Sequence, residues 1–392
     1  MQAAAHRSSG RAAPQRTRVI DALRRFAPEF YAQQCVEYGV RRKLDLVLRC
    51  RTPALGGHRY TCERCGSSTE LYNSCRSRYC SQCQGPRRRD WLEATQKLVL
   101  PVPHFQVVFT LPRELRPLAR AFPRIVYGLL FETAQYVLQT LATQRMDAKM
   151  AILAVLHTWD RELRLHPHVH CVVSAGGLRD DGTWVATHPT FLFPHRVMQK
   201  MYTGAFLARL REVLGPRLDK EQNALLHQLR RHLYRKRWVV WVGAPDGQDT
   251  DRLLKYLARY VYQNAISDHR LVNVGADAVT IRTRKAATAA IHGPEFVRRF
   301  ALHFLPKRFR RVRHYGLWAS SNRARLAAAR AVVATKHVRQ EEDQDEHEGE
   351  ANECQADTEP QPRRRCARCG ETLVVQSIPS DWWLDPCARG PP

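Results

Sequence analysis

Apolar residues recur at helical spacing from Arg18 to Cys50, where Val19, Leu23, Phe26 and Phe30 are followed by Val36, Val40, Leu44 and Val47. The spacing predicts two short helices broken near Pro28, because proline lacks the N–H that a helix interior needs. The next stretch, Gly56–Gly85, is too short to bury a core of its own without a staple. A helix is expected over Pro86–Val99. The β-branched and aromatic run Phe105–Leu111, stopped by Pro112, reads as a strand. A helix over Ile125–Ala148 precedes two apolar strands, Ala151–Trp159 and Pro167–Ala175. A short charged turn joins these, and Gly176-Gly177 ends the second. Further helices are expected over Val197–Leu214, Glu221–Tyr234 and Asp251–Tyr262, with a strand at Trp238–Val242 between the last two. Asp249 and Asp251 open the last helix. Beyond Leu271 come a small strand pair over Val279–Arg284, a helix from Pro294 and a very basic stretch to Arg325. Residues 341–359 are acidic, contain Gln344 and Gln355 and have no large apolar side chain, as in a linker. No internal repeat stands out.

Length and composition narrow the class. With 392 residues, 44% of them apolar, the chain can bury a real core in two or three domains. Lys and Arg outnumber Asp and Glu by 63 to 37, a net charge of +26. Such an excess suits a polyanion, since neutralised phosphates release condensed counterions. Charge alone does not separate DNA from RNA or from an anionic membrane surface. No apolar run reaches the roughly 18 residues of a spanning helix, and Met1–Arg18 lacks the apolar segment of a secretory signal. The twelve cysteines fall partly in Cys-x-x-Cys pairs, which in a reducing compartment favours metal over disulfides. A cytoplasmic protein is expected.

Two knuckles, Cys62-Glu-Arg-Cys65 and Cys80-Ser-Gln-Cys83, have close to the spacing of a four-cysteine zinc site. Cys75 and His58 are further candidates for ligands, though Cys75 also fits a small buried side chain. A site of four thiolates has no open position, so its role is structural, with Arg64, Arg76, Arg78 and Arg87–Arg89 facing phosphates. Cys366-Ala-Arg-Cys369 is half a knuckle for a second zinc, with Cys354 and Cys387 available to complete it.

In His166-Pro-His168-Val-His170 a strand places His168 and His170 on one face, where two imidazoles can share a divalent cation. An incidental surface pair, or a hydrolase that activates water, has the same pattern. On a helix Tyr256 and Tyr260 share a face beside Lys255 and Arg259. They suit either a covalent nucleophile or an apolar stripe.

Together these pieces resemble the HUH (histidine-hydrophobic-histidine) two-tyrosine transposases of the insertion sequence 91 family. The likeness covers roughly residues 20–335. It rests on the knuckles with Asn73–Cys83, on Val107–Pro112, on His157-Thr-Trp through His166–Cys171, on Tyr256-Leu-Ala-Arg-Tyr260 with Ala265-Ile-Ser267, and on Phe296–Phe300 through Leu305-Pro-Lys to Arg313–Gly316. Tyr79 stands where relatives often have His, and Asp160-Arg-Glu162 replaces a turn they build from Gly and amides.

The resemblance implies an α+β fold, an antiparallel sheet with flanking helices, preceded by a small helical zinc-knuckle domain. It divides the chain into a flexible basic tail (1–17), a zinc-binding DNA-contact domain (18–100), a catalytic domain (101–335), an acidic linker (336–362) and a C-terminal tail (363–392). Mg²⁺ or Mn²⁺ is expected at His168 and His170, with His157, Asp160 or Glu162 as third ligand, and Zn²⁺ at the N-terminal cysteines. Tyr260 and Tyr256 are the expected nucleophiles, giving a 5′-phosphotyrosine without any nucleotide cofactor, in rolling-circle transposition. The expected partners are single-stranded DNA and mobile-element ends, which implies association with the nucleoid. Arg298, Arg299, Lys307, Arg308, Arg310, Arg311 and Arg313, interleaved with Phe304, Phe309, Tyr315 and Trp318, are expected to bind the strand by charge and stacking, beside Lys255 and Arg259. Two rival readings stay open: a zinc-dependent nucleic-acid-binding protein without activity, and a metal hydrolase acting through water.

Overall fold

The computed structural model describes residues 17–243, 258, 261, 265–284, 287–341 and 364–380. The elements in chain order begin with helices α1 (Val19–Gln33) and α2 (Tyr38–Leu48), strands β1 (Gly57–Thr61) and β2 (Ser68–Tyr72), and helix α3 (Gln84–Gln96). Strand β3 (His104–Thr110), helices α4 (Arg116–Ala121) and α5 (Pro123–Met146), and strands β4 (Lys149–Trp159), β5 (Leu165–Leu178) and β6 (Trp184–Ala186) follow. Next come α6 (His195–Leu214), α7 (Lys220–Arg235), β7 (Val240–Val242), β8 (Leu271–Val274), β9 (Ala278–Arg282) and β10 (Thr288–His292). The last are α8 (Gly293–Ala301), β11 (Val312–Gly316), α9 (Arg323–Glu341) and β12 (Val374–Ile378). The fold is α+β, with antiparallel sheets and flanking helices, as expected.

The central sheet has the order β11-β4-β5-β3-β7, with β6 on β5, and every pairing is antiparallel. Its strands are apolar on both faces because both are covered. One face, with Phe105, Val107, Phe109, Ile152, Ala154, Val169 and Cys171, packs on α5 and α6 through Leu130, Val137, Tyr202 and Phe206. The other, with Leu153, Val155 and Val172, packs on Leu100, Val102, Leu317, Trp318 and, from α9, Leu326 and Ala329. A second core joins the N-terminal helices to β9, β10 and α8: Ile20, Leu23, Phe26, Leu44 and Val47 meet Val279, Ile281, Ile291 and Phe296.

Three expectations are corrected. Helix α1 runs through Pro28, and the break falls after Gln33. Losing one helical bond at proline costs about 3 kcal/mol. Burying Ile20, Leu23, Phe26 and Phe30 at about 1.5–3 kcal/mol each outweighs that cost. Gly176-Gly177 does not end β5, which continues to Leu178. A Cβ on Gly177 would lie 2.9 Å from the Lys149 carbonyl oxygen, so glycine there allows a close crossing with β4. The basic stretch before Arg325 contains a strand, β11, paired with β4 from Val312↔Val155 to Gly316↔Ala151.

Candidate metal centre and nucleic-acid interface

The antiparallel register of β4 and β5 sets His157 opposite His168 and Val155 opposite His170, with a register shift directly after His157. Residues alternate between the faces, so His157, His168 and His170 all continue the row of Leu153, Val155 and Val172. Their ring centroids are 4.7–5.5 Å apart, and one nitrogen from each lies within 4.8 Å of the others. Nδ1 of His168 is 2.7 Å from the His166 carbonyl oxygen. With the proton on Nδ1, Nε2 is left as the metal-binding atom, as is usual for ligating histidines. Burial lowers the pKa of His168 to about 4, and burial with the nearby charges of His168 and Arg311 lowers that of His170 to about 3. Both imidazoles are therefore neutral at pH 7, the form a cation needs. Three convergent imidazoles, with His168 and His170 neutral, fit a divalent ion and leave positions open for phosphate oxygens. An all-nitrogen set suits Mn²⁺ or another transition ion better than Mg²⁺.

The carboxylates offered as third ligands are engaged in the β4–β5 turn. Asp160 Oδ1 accepts from the backbone N–H of Glu162 at 2.8 Å and of Arg164 at 2.9 Å, and Glu162 pairs with Arg164. Neither joins the imidazole cluster, whereas His157 does.

The knuckle cysteines divide between two clusters instead of sharing one. Cys80 and Cys83 meet Cys50 and Cys75, and Cys62 and Cys65 meet Cys366 and Cys369. In the first, Cys83 Sγ lies 3.6 Å from Cys50 and 3.7 Å from Cys75. Hydrogen bonds from the neighbouring thiols hold Cys83 well below the ordinary thiol range. Cys50, with no partner at knuckle spacing, escapes a search by spacing. The hint in the sequence is only that it follows α2. His58 lies exposed on β1, outside both clusters. Cys354 and Cys387 lie outside the described residues.

The basic segment is also divided. Arg298 and Arg299 are held by Glu295, each with a bond of 2.7 Å. Glu295 is lowered to about 2, first by its bond to Arg298. Half-buried Arg311 donates to the Leu156 carbonyl at 3.1 Å and lies 4.8 Å from the Trp159 ring centre. Arg313 stacks on Phe131 at 4.4 Å. Phe309 and Trp318 belong to the apolar cores, and Phe304 packs on Tyr79 at 4.4 Å. These three rings are packed within the fold, while Tyr315 is half-buried on β11. Lys307, Arg308 and Arg310 remain exposed. Arg308 and Arg310 line a cleft of about 400 Å³ with Arg78, Trp91, Arg311 and His314. Arg64, Arg76, Arg88 and Arg89 are exposed as well.

Tyr256 and Tyr260, with Lys255 and Arg259, lie outside the described residues. Two neighbours in that segment are described: Ala258 and Val261 are helical and buried. Val261 lines the same basic cleft and belongs to the core of Leu153, Val155 and Val172. It thus packs on the sheet face that bears the three histidines.

A family model described as "Putative transposase" matches residues 151–325, and one described as "Transposase zinc-binding domain" matches residues 22–111. The chain is 36% identical over 335 residues to "Putative transposase y4qJ" of Sinorhizobium fredii, covering 80% of this chain and 84% of that protein. The chain belongs to the insertion sequence 91 family of transposases. It is also 28% identical over 319 residues to the transposase for insertion sequence element IS801 of Pseudomonas savastanoi pv. phaseolicola, covering 74% of this transposase and 75% of that one. No solved structure matches it significantly. Among the described residues of the transposase, no helix is long and apolar enough to cross a membrane.

Proposed function

We propose that this transposase cuts and rejoins single-stranded DNA through a covalent tyrosine intermediate, at a divalent ion held by His157, His168 and His170. The observation that carries this reading is the shared face: three imidazoles project from the sheet side on which Val261, one residue after Tyr260, is packed. When bound, the ion polarises the scissile phosphate and fixes its orientation. Tyr260 or Tyr256 supplies the nucleophile. Its phenolic oxygen bonds to phosphorus and loses its proton, while the P–O3′ bond breaks and the leaving 3′ oxygen gains a proton. A 5′-phosphotyrosine and a free 3′-hydroxyl result. Attack by a 3′-hydroxyl on that ester reverses the step, so rejoining needs no nucleotide cofactor. Two tyrosines suit exchange between two strands, as rolling-circle transposition of mobile-element ends requires. The cleft of Arg78, Arg308, Arg310 and Arg311 beside Val261 offers the cut strand a basic path, with Trp91 at its wall. Cys50, Cys75, Cys80 and Cys83 would hold a structural Zn²⁺, which would tie the loop that carries Arg76 and Arg78 to the end of α2.

The test incubates the full-length protein with single-stranded element ends and Mn²⁺ or Mg²⁺, then looks for a protein–DNA adduct that survives denaturant. Wild type is expected to form the adduct and the Tyr256→Phe/Tyr260→Phe double variant to form none. His157→Ala should slow its formation by on the order of 10²–10³-fold, as loss of an electrostatic catalytic group does. Cutting without an adduct would refute the tyrosine chemistry in favour of activated water. Binding without cutting would leave a DNA-binding protein.

A further inference from the structure

The second cysteine cluster is built from two copies of one local structure. Cys62-Glu-Arg-Cys65-Gly66 and Cys366-Ala-Arg-Cys369-Gly370 share the pattern Cys-x-Arg-Cys-Gly. In each, the glycine N–H donates to the carbonyl of the first cysteine at 2.9 Å. In each, the first cysteine's N–H reaches across the turn, from Cys62 to Ser67 O at 2.9 Å and from Cys366 to Glu371 O at 2.7 Å. Gly66 and Gly370 have φ of 69° and 75°, and a Cβ at either would meet nothing within 4 Å. The left-handed backbone, not lack of space, therefore selects glycine at both. Cys80-Ser-Gln-Cys83 is built differently: it passes through a 3₁₀ turn with Gln84 at φ −80° and leads into α3. The structural counterpart of the Cys62 knuckle is thus the Cys366 knuckle.

Strand pairing brings the two together. β12 lies antiparallel to β1 from Gly57↔Ile378 to Thr61↔Val374, and the Arg364 guanidinium sits 5.0 Å from the Tyr60 ring centre. Contacts then cross between the knuckles: Cys62 Sγ is 3.4 Å from Cys369 Sγ, and Cys65 Sγ is 3.6 Å from Cys366 Sγ. A disulfide is about 2.05 Å long. Four thiolates around a tetrahedral zinc, each about 2.3 Å from it, are about 3.8 Å apart. The sulfurs are thus spaced as the corners of a metal site. The β12-β1-β2 sheet has almost no apolar core of its own, since Gly57 is the one buried residue in its three strands. A sheet so poor in apolar burial needs a staple.

We propose that Cys62, Cys65, Cys366 and Cys369 bind one structural Zn²⁺, separate from the ion at Cys50, Cys75, Cys80 and Cys83, and that this ion clasps the C-terminal segment to the N-terminal hairpin. The clasp spans residues 307 apart in sequence, and two of its four ligands, Cys366 and Cys369, lie outside the segment matched by the zinc-binding family model, which ends at residue 111. It stands independently of the tyrosine chemistry.

Zinc content of the full-length protein, purified under reducing conditions and measured by atomic emission, tests it. In a His168→Ala/His170→Ala background, which removes the histidine site, the protein should carry two ions per chain, one for each cysteine cluster. In that background Cys366→Ser/Cys369→Ser, Cys62→Ser/Cys65→Ser and the fourfold variant should each carry one. Two ions retained in Cys366→Ser/Cys369→Ser would overturn the proposal. Because a cysteine variant can lose zinc by misfolding, a second measurement uses a specific protease site placed between residues 345 and 358 of the full chain. After cleavage the C-terminal fragment should co-elute with the zinc-loaded body, and in Cys62→Ser/Cys65→Ser it should separate. Separation from the zinc-loaded wild type would equally overturn the proposal. Neither readout requires DNA cleavage, so failure here and failure of the adduct test can be told apart.

Discussion

Four imidazoles, buried at His104 and His303 and half-buried at His168 and His170, lie well below the ordinary histidine range because desolvation disfavours their charged form: His104 and His170 at about 3, His168 and His303 at about 4. In the unfolded chain each titrates near 6.5, so below that pH the unfolded state binds more protons than the folded one. The stability these groups contribute is complete above pH 6.5 or so and is lost as pH falls towards their folded values, about 2 kcal/mol for each by pH 5. His104 isolates the effect best, since it is no metal-ligand candidate, stacks on Trp318 at 5.6 Å and 13°, and has no hydrogen-bond partner at Nε2. His104→Phe keeps the stacked ring and carries no proton. Between pH 7 and 5 its unfolding free energy, from urea titrations, should fall by about 2 kcal/mol less than that of wild type. Identical pH slopes would assign the dependence to other groups. Residue spacing alone shows that His168 and His170 share a face, because a strand alternates with period two. It does not choose among His157, Asp160 and Glu162. That choice depends on the register across the turn, which Asp160 fixes with its own backbone bonds.

Among the elements, those with long periodic or β-branched runs were legible: β3 to β5 and helices α5 to α7 fall close to the expected bounds. Strand β11 was not, because Arg310, Arg311 and Arg313 mask its pattern, and in Val312–Gly316 every residue is only half-buried. Arg313 within the strand stacks on Phe131, and Arg311 just before it stacks on Trp159. The element ends at Gly316, φ 58°, where a Cβ would stand 1.8 Å from the Met150 carbonyl oxygen. Gly316→Ala therefore faces both backbone strain and a collision with β4, and should lose at least about 3 kcal/mol in denaturant titrations. Gly182→Ala is the control: its φ is 84° but nothing lies within 4 Å of the added carbon, so strain alone, about 1 kcal/mol, is expected. Equal losses at both glycines would mean that β11 yields where it meets β4. Pro28 teaches the complementary lesson, that a breaker inside a helix is tolerated when the buried face on either side is large enough.

At the scale of the molecule, local patterns revealed each half-site but not how the halves meet. Cysteine spacing grouped Cys62 and Cys65 with Cys80 and Cys83, since only the fold brings a segment 307 residues away onto β1. The repeated Cys-x-Arg-Cys-Gly was the available signal. Charge behaved similarly: an excess of +26 foretells a polyanion but not which cations are free to meet it. Arg298 and Arg299 are both paired with the single carboxylate of Glu295, whereas Arg78, Arg308 and Arg310 are exposed around the cleft beside Val261. Each phosphate contact to a single strand contributes about 0.7 to the slope of log affinity against log salt concentration. Arg78→Gln/Arg308→Gln/Arg310→Gln should therefore flatten that slope by about 2, measured by fluorescence anisotropy with a labelled single-stranded oligonucleotide. Arg298→Gln/Arg299→Gln should leave it nearly unchanged, even though it removes almost as much charge. If the two variants flattened the slope in proportion to the charge removed, the cleft would have no special place in binding. The strand would then be attracted by the overall field of the protein, and its path past Val261 towards the histidines would lose its support.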